Sequence, residues 1–141
     1  FWVPDILVCN GWQSALIPNY YKNEYEGISD FYKKIKSILV IHDLDDYSKV
    51  DRSDLVKMGV EIDPKIKGNK LNIYDVASYN ADAILIMDRP GEKISSKLLK
   101  KAAFKDNQKK VTVFEQEDLE EIDFYAMTES LNQIVSDITS K

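Results

Sequence analysis

The chain has a single cysteine, Cys9, so no internal disulfide can form and nothing points to an oxidising compartment. It has a single histidine, His42, which rules out any metal site built on several imidazoles. No long hydrophobic run is present: apolar stretches such as Ile38 to Ile41 fall far below the ~20 residues of a membrane-spanning helix. Phe1-Trp2 is no signal peptide. Positive charge is also in deficit. The net charge of −5 leaves no basic face to release phosphate counterions, which argues against a nucleic-acid partner. There is no G-x-G-x-x-G, no lysine-bearing phosphate loop, no Cys/His metal spacing and no nucleophile elbow. These absences predict a soluble protein, cytoplasmic by default, with no bound cofactor or metal and without the motifs of a self-contained enzyme.

The composition that remains, 44% hydrophobic and 30% charged over 141 residues, is that of one globular domain able to bury a core. No repeat, low-complexity tract or long linker divides it. Short β-branched runs at Asp5 to Cys9, Ser37 to His42, Ala83 to Met87 and Val111 to Phe114 alternate with helical patterns, the signature of successive βαβ units. Each run is nearly all apolar, as strands covered on both faces are. The pattern predicts an α/β fold: a Rossmann-like parallel sheet of about four strands with helices on both faces.

The helical patterns are Trp12 to Glu24, with a kink expected at Pro18, then Asp51 to Met58, Asn72 to Tyr79, Ser95 to Phe104 and Leu119 to Ile138. The last carries Phe124, Met127, Leu131, Ile134 and Ile138 at 3/4 spacing, a stripe that serves either one face of the sheet or a homo-oligomer seam. Asp118 with Glu121 reads as its cap pair, within an acidic run that suits a positive helix end. The lysines from Lys97 to Lys110 read as a solvated face. Position 1 is Phe, and Phe1 to Pro4 reads as the end of a preceding element entering a strand, which predicts a piece of a longer chain.

Chemistry in an open α/β sheet gathers beyond the carboxyl ends of the strands. After the first strand these positions hold Asn10, Trp12 and Gln13; after the second they hold His42 and Asp43. Each has a plain alternative. Asn10-Gly11 also suits a turn, Trp12 a core anchor, and a lone His42 a hydrogen-bonded core residue. Asp43, Asp45 and Asp46 would suit Mg²⁺ or simply a solvated loop. Arg89, after the third strand, would hold a phosphate or carboxylate, or pair on the surface with Asp88 or Glu92.

Three segments carry a family resemblance. Pro4 to Lys22, P-D-I-L-V-C-N-G-W-Q-S-A-L-I-P-N-Y-Y-K, resembles the W-x-P-D-x-x-H-x-H-D-W signature, with its L-x-P-x-Y continuation, of bacterial and plant glycogen/starch synthases. Ile41-His42-Asp43-Leu44 resembles that family's I-H-N-L, and Asn72 to Pro90 its helix, Ala-Asp pair and V-S-P strand, with Asp88-Arg89-Pro90 at the end. The tail from Val111 is similar to short bacterial synthase-like proteins.

The resemblance implies the later part of the first domain of a two-domain GT-B glucosyltransferase, which moves glucose from ADP- or UDP-glucose to an α-1,4-glucan. It implies that Asn10, Trp12, Gln13, His42 and Asp43 contact substrate. Three residues depart from it: aligned on Trp12, Val8 falls at the family's earlier histidine, Asn10 replaces the second and Gly11 the aspartate, and an amide carries neither a proton nor a charge. The K-x-G-G-L phosphate loop and the second domain's E-x7-E carboxylates are absent from these residues. The expectation is therefore a chain without transfer activity of its own. A non-catalytic glucan- or protein-binding module on the same fold is the alternative, and a receiver-like phosphoacceptor at Asp43 a third class.

Overall fold

A computed structural model of the chain describes residues 2–118 and 120–140. The first strand, β1 (Ile6–Asn10), leads through a 3₁₀ turn (Trp12–Ser14) into α1 (Ile17–Tyr20), which loosens into a π turn (Tyr21–Tyr25). A short α2 (Asp30–Lys33) precedes β2 (Lys36–Ile41), and β3 (Lys49–Asp51) leads directly into α3 (Arg52–Lys57). β4 (Lys70–Asn72), α4 (Ile73–Ser78) and β5 (Ala83–Asp88) follow. The chain then runs through α5 (Ser95–Leu98), α6 (Ala102–Asp106), β6 (Val111–Glu115) and α7 (Phe124–Thr139).

The main sheet has the order β1-β2-β5-β6 with every pair parallel, a Rossmann-like arrangement with helices on both faces. Period-2 alternation sorts its side chains. Cys9, Leu39, Ile41, Ile84 and Ile86 point to one face, where Tyr74 and Ala77 of α4, Leu98 of α5 and Phe104 of α6 cover them. Ile38, Val40, Ala83, Leu85 and Phe114 point to the other, under α7. The stripe on α7 is used as core: Ile134 is buried, and Met127, Leu131 and Ile138 pack beside it. Phe124 departs from the expected stripe and is exposed. α7 covers β1 only in part: Ile6 packs into this cluster, whereas Val8, on the same face, is 58% exposed.

The start of the sheet is tied by Asp82, which precedes β5. Its Oδ2 accepts from the Ser37 backbone N–H at 2.8 Å and from the Ser37 hydroxyl at 3.1 Å, while the Asp82 N–H donates to the Ser37 carbonyl at 3.1 Å. The Ala81-Asp82 pair thus sits at the amino ends of the strands, opposite the expected crevice, and registers β2 against β5.

Four expectations are corrected. Trp12 to Glu24 is three pieces rather than one helix, and Pro18 lies in the first turn of α1, where its missing N–H costs nothing. Ser95 to Phe104 breaks at Lys101, whose extended ψ of 145° restarts the helix. The break resets the phase: Phe104, six positions after Leu98, would point away from Leu98 on a continuous helix but is buried with it here. α7 begins at Phe124, capped by the Asp123 carboxylate on the Ala126 N–H at 3.0 Å rather than by the Asp118/Glu121 pair. Leu119, the expected start, lies outside the described residues, as does Phe1. The antiparallel β3-β4 ribbon was not expected; its strands are too short to show a period.

The lysine stretch is only partly a solvated face. Lys101 holds Asp75 at 3.0 Å, and Lys110, half-buried, donates to the Tyr79 carbonyl at 3.4 Å. Among the described residues no helix is long and apolar enough to cross a membrane.

Candidate functional site

Asn10 ends β1 and pairs in register with Val40 of β2, so alternation places His42, two residues further, on the same face as Asn10. Both line one groove of about 380 Å³ at the carboxyl ends of the strands. Its floor is apolar, formed by Val40, Leu85, Met87 and Leu131, and Arg89 stands on its rim.

The loop after β1 is shaped by Gly11. Its φ of +74° turns the chain sharply, and its N–H donates to the Val40 carbonyl at 3.0 Å, which ties the loop to the neighbouring strand. The Ser14 hydroxyl then donates to the Asn10 carbonyl at 2.9 Å, closing the turn. Trp12 packs half-buried against the core below and stacks on the exposed Tyr47, ring centres 6.1 Å apart. Gln13 points outward, its Oε1 2.9 Å from the place a β-carbon on residue 11 would take; His42 Nε2 is 3.2 Å from the same point. The loop of β1 and the end of β2 therefore meet over Gly11.

His42 does not stand alone. Its Nδ1 lies 3.0 Å from Asp43 Oδ2, and the buried Tyr74 of α4 donates its hydroxyl to Asp43 Oδ1 at 3.2 Å. Burial pushes the Tyr74 phenol far above its ordinary range, reinforced by the Asp43 charge and hydrogen bond and then by Asp45, and opposed by the Trp12 backbone N–H. Tyr74 is thus a donor at neutral pH.

The other acidic residues of this loop go elsewhere. Asp45 accepts from the Ser48 N–H at 3.2 Å, and Asp46 pairs with Lys49 at 2.6 Å. Among the described residues no group of three or more His, Cys, Asp or Glu side chains is placed to hold a metal ion.

Arg89 departs from its expected surface ion pair. Only backbone bonds join it to Glu92, at 2.9 and 3.2 Å, and it makes no salt bridge among the described residues. Asp88 is buried instead: its carboxylate takes the Ser95 N–H at 2.9 Å and the Ser95 hydroxyl, anchoring the start of α5.

Of the residues singled out in the sequence, Asn10, Trp12, Gln13, His42 and Asp43 all stand around Gly11 at one edge of the sheet. Tyr74 and Tyr47 were missed. Tyr47 carries no local signal, and Tyr74 looked like one more apolar position of a helix.

The starch synthase catalytic domain family matches residues 1–100, a stretch that includes Asn10, His42 and Arg89 but not Leu131 of the groove floor. The glycogen synthase of Lachnospira eligens is 37% identical over 86 residues, 61% of this chain and 18% of that protein. That of Clostridium perfringens is 35% identical over 89 residues, 62% of this chain and 18% of the relative. A glycogen synthase of Clostridium botulinum is 44% identical over 43 residues, 30% of this chain and 9% of the relative. The matched stretch spans less than a fifth of each relative's length.

Proposed function

Because the chain belongs to the starch synthase catalytic domain family, we propose that its strand-end crevice is the glucan-binding edge of a glycogen/starch-synthase-like glucosyltransferase. In this reading residues 1–141 form a single α/β unit, the later part of the first of two GT-B domains. The intact protein transfers glucose from ADP- or UDP-glucose to the non-reducing end of an α-1,4-glucan, in cytoplasmic glycogen biosynthesis. The observation that supports it is the place of His42, which shares the strand-end groove with Asn10 and meets Gln13 over Gly11, within the residues matched to the family. Fixed polar groups there would steady sugar hydroxyls, and the ring of Trp12 would brace the loop that carries them.

These residues alone bind but do not transfer, because the K-x-G-G-L loop for the donor phosphates and the E-x7-E carboxylates are not among them. Asn10 and Gly11, in the places of the family's histidine and aspartate, favour one second reading: a non-catalytic glucan- or protein-binding module on the same fold.

Two measurements test the proposal. Titration calorimetry with maltoheptaose should record binding heat, stronger for Asn10→His, which restores an imidazole at the crevice. Incubation with labelled ADP- or UDP-glucose and glycogen should give no incorporation above the blank. Incorporation that Trp12→Ala abolishes overturns the claim of inactivity, and no heat from a folded protein overturns glucan binding in favour of a protein-interaction module.

A further inference from the structure

We infer that Asp43 and Tyr74 are positioning residues that hold the His42 imidazole in one tautomer, with the proton on Nδ1 and Nε2 presented as an acceptor to a hydroxyl of a bound carbohydrate. The identity of that ligand rests on the glucan reading above; the tautomer rests on this chain's own geometry.

An ionised carboxylate has no proton to donate, so the approach of His42 Nδ1 to 3.0 Å from Asp43 Oδ2 is favourable only with the proton on Nδ1. In the neutral ring the other nitrogen then has a free lone pair. The carboxylate itself is held in turn. Tyr74 donates to Asp43 Oδ1 at 3.2 Å, and its ring is fully buried in the core beneath the sheet, so the acceptor that orients the imidazole is fixed from below. A rigid second partner of this kind sets the ring orientation as well as the proton's position.

Nε2 faces the β1 loop, 3.2 Å from the point where residue 11 would carry a β-carbon. Since residue 11 is glycine, no β-carbon fills that point; Gln13 Oε1 stands 2.9 Å from it, and the His42 side chain is 32% exposed. A sugar hydroxyl that donates to Nε2 while accepting from the Asn10 amide, with a second hydroxyl donating to Gln13 Oε1, matches this mixed set of partners. The residue pattern makes the point specific to this chain. Where glycogen/starch synthases resemble I-H-N-L, an asparagine beside the histidine can present either a donor or an acceptor to Nδ1; Asp43 can present only an acceptor and removes the choice.

His42 is the only histidine, so ring nitrogen-15 resonances of the full chain, selectively labelled at histidine, report on it without assignment. The neutral ring should show Nδ1 protonated and Nε2 unprotonated. Asp43→Asn, and Tyr74→Phe, which keeps the buried ring, should each shift the population toward a mixture of tautomers, and Asp43→Asn should weaken maltoheptaose about tenfold, the worth of one hydrogen bond. Added maltoheptaose should move the Nε2 resonance of the wild type and leave Nδ1 in place. A wild-type ring protonated at Nε2, or tautomer populations unchanged in folded Asp43→Asn, overturns the proposal. Binding heat with an unmoved Nε2 resonance overturns the sugar contact while the glucan reading stands; no heat beside the expected tautomer defeats the glucan reading and with it the sugar contact, while the tautomer assignment survives.

Discussion

Gly11 and His42 compete for one volume: Nε2 of the imidazole sits 3.2 Å from where a β-carbon on residue 11 would lie, nearer than ordinary van der Waals contact allows. The glycine is required twice over, by this approach and by its φ of +74°. Restoring the family aspartate by Gly11→Asp should therefore cost about 1–3 kcal/mol from backbone strain alone. It should also push His42 out of its contact with Asp43. Urea denaturation measures the first effect and the His42 ring resonances the second; an unchanged midpoint with an unmoved ring would contradict both.

Trp12 makes a smaller contribution to stability than its size suggests. It is half-buried against the core, and the ring stacked on it, Tyr47, is itself 74% exposed. Trp12→Ala should lower the unfolding free energy by about 2–3 kcal/mol, under the ~3–5 of a fully buried aromatic. Tyr47→Ala should cost less than about 1 kcal/mol. Equilibrium denaturation of the two variants side by side decides whether the stack or the core contact dominates.

Asp75 gives the fold a pH dependence of definite sign. Burial raises its carboxyl above the ordinary range, and the Lys101 ammonium 3.0 Å away only partly opposes this. The native state then holds this proton more tightly than the unfolded chain. The contribution of Asp75 to stability is complete below its unfolded value of about 3.9 and is lost as pH rises through the raised native value. The stability of wild type relative to Asp75→Asn should accordingly fall across that window, in urea midpoints taken at successive pH values. A difference that grows with pH would mean that the Lys101 pair outweighs burial.

Cys9 should be silent in the folded protein. It is 1% exposed beneath the sheet, and burial pushes its thiol up to about 11, so little thiolate forms at neutral pH and none of it is reachable. Iodoacetamide at pH 8 should label the native chain only as fast as it opens, and label it fully in denaturant. Rapid native labelling would show that β1, an edge strand, detaches from the rest of the sheet.

The sheet was legible because its strands are apolar and the central pair, β2 and β5, is buried on both faces. A run such as Ile38 to Ile41 has no soluble alternative, and composition alone places it in the interior. Four such runs separated by helical patterns leave little choice but parallel crossovers, and the positions that follow them, Asn10 and His42, are carried to the same edge by chain direction. The α7 stripe from Met127 to Ile138 was readable for the same reason, since a 3/4 spacing sustained over several turns has one apolar face.

Other features have no local cause. The three-residue strands β3 and β4 exist through their pairing with each other, and the restart at Lys101 is imposed by the need to bring Phe104 back under the sheet. The company of His42 is of this kind too: Tyr74 reaches Asp43 across 31 residues of sequence, on a helix whose own pattern marks that position only as buried. Sequence determines which stretches leave water, because that is a property of each residue and its near neighbours. Which buried hydroxyl meets which carboxylate depends on how the elements pack once they have left it, and only the tertiary structure decides that.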